Sequence, residues 1–146
     1  MIDLLHLLTD PGKRGNYTCY MEFIPGRFKG KYWNKNAVFI HEDVFHYFLT
    51  PISRRWKFDP WDNNEIPVSL WRGIIADYEK LLCQAQSAAT SEELKGSDLF
   101  YNETAIKEFG IDFDSNKRAY CETLSGLLSW LKQEMDRNDV ISILGI

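Results

Sequence analysis

Residues 120–146 read YCETLSGLLSWLKQEMDRNDVISILGI, and the period of their apolar positions changes partway along. Tyr120, Leu124, Leu127, Leu128, Leu131 and Met135 recur every three or four residues, the stripe of an amphipathic helix. Asn138 and Asp139 break that stripe. Val140 to Ile146 is then a short apolar run of the composition expected of a buried strand. A buried strand at the end of a helix needs other strands to pair with, so the rest of the chain must supply a sheet.

Working outward, a second helical stripe comprises Trp71, Ile74, Ile75, Tyr78, Leu81, Leu82 and Ala85, and runs to about Ala88. Pro67 sits near its start, where proline is tolerated. Ser91 to Leu94 starts a further turn. Glu103 to Phe109 suits a short helix ended by Gly110, with Asp114 or Ser115 capping the last helix. Ile40, Val44, Phe45, Phe48 and Leu49 make a helical face that Thr50-Pro51 should end. Strand formers fill Tyr17 to Ile24 and Ala37 to Ile40, and Arg27 to Trp33 alternates as a half-exposed strand would. Ile2, Leu4, Leu5 and Leu8 suggest one or two helical turns ended by Asp10-Pro11-Gly12. Arg54 to Pro67 is polar and turn-rich and reads as a loop. The expectation is a single domain over residues 1–146 of class α+β, with a small antiparallel sheet packed against three or four helices.

The 146 residues suffice for a core without disulfide or metal staples. Net charge is −4, which argues against a dedicated nucleic-acid binder, whose domain is typically basic. Asp3 stands where a secretory leader carries Lys or Arg, and no apolar run is long enough to span a membrane. A cytoplasmic protein with no membrane partner is expected. Cys19, Cys83 and Cys121 are spaced as neither a disulfide framework nor a zinc site, so reduced, buried thiols are expected. Asn16-Tyr17-Thr18 and Asn102-Glu103-Thr104 match the glycosylation sequon, which carries no meaning without a secretory route.

Motifs that would carry chemistry fail at named positions. His41 and His46 are five apart, which on a helix turns them about 140° from one another, too far to share a metal. Asp112, Asp114 and Asn116 resemble the start of a calcium loop, but Lys117 and Thr123 stand where Gly and Glu are required. Gly12-Lys13-Arg14-Gly15 lacks the spacing of a phosphate loop. Ser125-Gly126 lies in a helical stripe and not on a nucleophile elbow. Pairing Cys19 or Cys121 with one of His6, His41 or His46 would need the fold to assemble the site. No catalytic residue, metal or cofactor is expected. The interleaved aromatic and basic residues from Arg27 to Lys35 could track a single strand, or simply be a solvated sheet face.

The strongest binding signal is the 54–67 segment. Trp56, Phe58 and Trp61 stand there beside Asp59, Asp62 and Glu65, and aromatic anchors ringed by charge are what interface hot spots look like. The alternative is that the tryptophans fold back onto the core.

Small size, mild acidity, aromatic richness, failed catalytic motifs and a helix-rich C-terminal half closing on Ile141 to Ile146 together resemble the immunity proteins of bacterial polymorphic-toxin and contact-dependent growth inhibition systems. The resemblance covers the chain without a diagnostic motif. It implies a non-catalytic protein that binds one cognate toxin domain, often a nuclease with a basic cleft, and covers its active site or substrate surface. The residues expected to meet that partner are Trp56, Asp59, Trp61, Asp62 and Glu65, with Asp112 and Asp114 as a second acidic patch. An adaptor or structural subunit, or a small enzyme with a dispersed site, would be the alternatives.

Overall fold

The computed structural model of the chain describes residues 4–15 and 19–145. The start of the first expected helix (Ile2), the start of the first expected strand (Tyr17), the Asn16 sequon and Ile146 lie outside them. The elements in chain order are β1 (Tyr20–Pro25), β2 (Val38–His41), α1 (Glu42–Ser53), β3 (Asn63–Pro67), α2 (Val68–Ser87), α3 (Glu103–Gly110), α4 (Phe113–Met135) and β4 (Val140–Leu144), with single 3₁₀ turns at Pro11–Lys13 and Ser91–Leu94. The four strands form one antiparallel sheet in the order β2-β1-β4-β3. The α+β class, the small antiparallel sheet and its helices are therefore as the sequence implied.

The last strand is central. Every residue of β4 is buried, because β1 pairs on one side of it and β3 on the other. Strand alternation then divides the apolar residues between two faces. Met21, Phe23, Val38, Ile40, Ile66, Ile141 and Ile143 point toward the helices and join Phe45, Trp71, Tyr78 and Leu124 in the main core. Trp71 ties the layers together, since its indole N–H donates to the carbonyl of Ile141 at 3.0 Å. Tyr20, Ile24, Phe39 and Leu144 point the other way and form a smaller cluster with Leu8, Phe28 and Trp33.

Five segments differ from the sequence reading. Residues 27–36 are not a strand but a strap laid over the second face of the sheet. Gly26 (φ 75°), Gly30 (φ 82°) and Trp33 (φ 62°) adopt positive φ, which interrupts any extended run. Two carboxylates from the sheet hold the strap. Glu22 accepts from the backbone N–H groups of Trp33 (2.8 Å) and Asn34 (2.7 Å), and Glu65 accepts from Phe28 N–H at 3.0 Å. The Ser142 hydroxyl adds a bond to Gly26 O.

The 54–67 segment is not all loop, because Asn63 to Pro67 is β3. Two Asn and a Pro have poor strand propensity, yet they suit an edge, where unpaired strands are kept polar. α1 runs through Pro51 to Ser53 instead of stopping before it. α4 starts at Phe113 with Asp112 in the cap position and no side-chain cap bond, so Asp114 lies inside the first turn and neither it nor Ser115 is the cap. At the N-terminal end Leu4 lies in a 3₁₀ turn, and Leu8 is no helical residue: it pairs through both backbone bonds with Phe39 and so covers the outer edge of β2.

Candidate protein-binding surface

The loop between α1 and β3 is organised by one buried side chain, Asn64. Its Oδ1 accepts from Asp59 N–H (2.9 Å) and Trp56 Nε1 (3.3 Å), while its Nδ2 donates to the carbonyls of Asp59 (2.8 Å), Asp62 (3.2 Å) and Ile143 (3.2 Å). A buried amide with every donor and acceptor used fixes the loop to the sheet. The Asp62 carbonyl also accepts from Gly145 N–H at 3.0 Å.

On this frame the two tryptophans part ways. Trp56 is half-buried against the core, and Phe58 packs beside Phe45 with ring centroids 5.4 Å apart. Trp61 is 75 % exposed. The Asp59 carboxylate accepts from Trp61 N–H at 2.9 Å, and Asp62 caps Asn63 N–H at 2.7 Å, so both exposed acids brace the turn that presents the indole. Glu65 faces the strap instead, bonded to Phe28 N–H and paired with Arg27 at 3.3 Å.

Asp112 and Asp114 belong to the start of α4, and both are exposed. The contacts of that region run to α3, where Asn116 Nδ2 donates to Phe109 O, and to the end of α2, where Lys117 donates to Ala88 O. Ile111, 84 % exposed, stands beside them. The seven expected contact residues are thus not one patch. Asp59, Trp61 and Asp62 form the projecting group, Trp56 supports it from behind through Asn64, Glu65 holds the strap, and Asp112 and Asp114 are carried by another element.

Behind the strap lies a feature that the sequence reading passed over. A cavity of about 210 Å³ is lined by Tyr20, Glu22, Tyr32, Trp33, Phe39, Leu144 and Gly145. The signal for it was a lone acid, Glu22, in an otherwise apolar strand. Asn64 was equally visible as an amide opposite the apolar β4.

The histidines do different jobs. His41 is the N-cap of α1, with Nδ1 accepting from Asp43 N–H. His46 sits inside α1 against Tyr47 and Tyr101, and burial holds its pKa below the ordinary value despite the pull of Glu108 and Asp43. Cys19 and Cys121 are half-buried and Cys83 is exposed, so the expectation of buried thiols fails for Cys83, whose place on α2 faces solvent. Burial pushes the Cys121 thiol up, the opposite of what activates a nucleophile. Among the described residues no group of three or more His, Cys, Asp and Glu is placed to hold a metal ion, and no helix is long and apolar enough to cross a membrane. Comparison with protein-family models, with curated proteins and with solved structures finds no match.

Proposed function

We propose that this chain is a non-catalytic binding protein that neutralises a cognate toxin domain in the manner of an immunity protein, by covering its active site or substrate surface. The observation that carries the reading is Trp61, three-quarters exposed on a loop that Asn64 and Gly145 hold rigid. An exposed indole costs hydration, and a fixed loop removes most of the ordering cost of binding through it. Asp59 and Asp62 beside it would orient a basic cleft during encounter, as a nuclease toxin would present.

The test is co-expression with the toxin domain encoded next to the gene, scored by cell survival and by co-purification. Trp61→Ala should weaken the complex about thirtyfold or more, the scale of a central aromatic anchor. Reversing Asp59 and Asp62 to lysine should slow association. Wild-type protection by both variants would reject the assignment.

A further inference from the structure

The cavity behind the strap has the chemistry of a site for a positively charged side chain. Glu22 is central on the second face of the sheet, with Phe39 opposite it on β2 and Leu144 opposite it on β4. Both neighbours are fully buried, and Glu22 itself is 4 % exposed. Its carboxylate accepts three hydrogen bonds, from Trp33 N–H, Asn34 N–H and Asn34 Nδ2, all from neutral donors. None of the ion pairs among the described residues includes it. Neutral donors satisfy the lone pairs of a carboxylate without neutralising its charge, and a buried charge is ordinarily paired.

The space beside it is built for one side chain. Its volume of about 210 Å³ is below the roughly 300–1,000 Å³ of ordinary small-molecule pockets and equals about seven waters. Tyr20, Trp33 and Phe39 form a ring-lined wall, with Tyr20 edge-on to both of the others. Tyr32, half-exposed, is the outermost ring. Aromatic walls with a carboxylate favour an organic cation over a neutral group of the same shape. The chain already stacks one guanidinium on this cluster, since Arg14 lies 4.2 Å from the Trp33 ring centre.

Position links the cavity to the exposed indole. Gly145, on its rim, donates to the carbonyl of Asp62, the residue after Trp61. We infer that this cavity is a cation-selective pocket that receives a lysine or arginine side chain from the protein that covers Trp61. The choice of occupant rests on the binding role proposed above, whereas the cation selectivity is a property of this chain alone.

The test titrates n-butylammonium and n-butylguanidinium, with n-pentanol as the neutral comparator, into the full chain. The readout is the Trp33 indole N–H resonance, with the Trp61 and Trp130 indoles as internal controls. A saturable shift at Trp33 is expected, with the cations binding about tenfold tighter than the alcohol. Glu22→Gln should bring the cations down to the level of the alcohol. Because that variant also weakens the hold on the strap, Tyr32→Ala serves as the second probe: it should weaken the cations several-fold while leaving Glu22 and its donors in place. Equal binding of alcohol and cation, no saturable change at Trp33, or undiminished binding by Tyr32→Ala would each overturn the pocket. Trp61→Ala should leave this titration unchanged, so failure of the binding role is read separately. If the titration succeeds but Tyr32→Ala binds the toxin as the wild type does, the assignment of the occupant is overturned.

Discussion

The hydroxyl of Tyr120 on α4 donates to the carbonyl of Tyr47 on α1 at 3.3 Å. In an unbroken helix that carbonyl would accept the N–H of residue 51, which here is proline and has none. Beside it, the Tyr78 hydroxyl of α2 donates to Phe48 O. Donors from two other helices thus converge on the turn that the proline leaves short, and α1 continues through it.

This arrangement predicts a coupled pair. Tyr120→Phe should cost about 1 kcal/mol, because it removes a hydrogen bond to a buried carbonyl in the turn where proline supplies no N–H. Pro51→Ala restores the helical N–H, so Tyr120→Phe made in that background should cost clearly less. A double-mutant cycle by urea denaturation measures the difference. Additive effects would mean that the tyrosine contributes packing alone.

The same tyrosines set an alkaline limit on stability. Burial raises the pKa of Tyr78 and of Tyr120 above the ordinary tyrosine value, and burial with nearby Glu108 and Tyr101 pushes Tyr47 up to about 12. The unfolded chain ionises these groups near pH 10, whereas the folded chain keeps them protonated. Their contribution is therefore complete below about pH 10 and is lost as pH rises. The folding equilibrium should fall about tenfold per pH unit for each such group. Denaturation curves between about pH 9 and 11.5 should show this steep loss, and Tyr78→Phe should make it shallower by one proton.

Periodicity made the helices legible because each buries one stripe, and Tyr120, Leu124, Leu127 and Leu131 are all fully buried. The same principle found β4, whose run is apolar because both faces are covered. It misread Arg27 to Trp33, because alternation of Arg27, Phe28, Lys29 and Lys31 looks the same in a strand and in a strap, and the deciding hydrogen bonds come from Glu22 and Glu65 elsewhere in the chain. It missed β3 for a related reason: Asn64 is a strand residue only because its amide is used up by the preceding loop and by Ile143 O. Pro51 ended the helix on paper because its compensating donors lie about thirty and seventy residues away in sequence. In the 54–67 segment the sequence singled out aromatic and acidic residues as expected contacts. Which of the two tryptophans turns outward depended on Asn64, a residue that reading did not weigh.

A charged cluster closes the other side of this loop. Arg54 forms a two-pronged pair with Asp98 (2.6 and 2.8 Å) and also reaches Asp77, which Arg55 shares. Burial opposes ionisation of Asp77, but the guanidiniums of Arg55 and Arg54 override it and hold its pKa below the usual value. The Arg55 guanidinium lies against Gly73, where an added Cβ would overlap it. Gly73→Ala should therefore displace Arg55 at a cost of about 1 kcal/mol or more beyond any gain in helix propensity. Raising the salt concentration should weaken the wild type more than the variant, because the variant has already lost part of the ion cluster. Thermal melts at low and high salt give the comparison.

Gly145 separates the presentation of Trp61 from its chemistry. A Cβ at this position would run into the carbonyl group of Pro60 and stand 2.9 Å from the Asp62 carbonyl oxygen. Both obstacles are backbone, which cannot swing aside as a side chain does, so the loop must move. Trp61 lies between these two residues. Gly145→Ala should therefore lower stability by about 1–3 kcal/mol and also weaken the complex with the proposed partner, although no side chain at the surface has changed. Trp61→Ala should do the reverse, changing stability by less than about 0.5 kcal/mol because the indole is mostly in solvent, while removing the proposed anchor. Calorimetric melts and titration of both variants against the partner separate the two effects. If Gly145→Ala lost stability but bound with full affinity, a rigid loop would be irrelevant to recognition, and Trp61 would act as a free side chain.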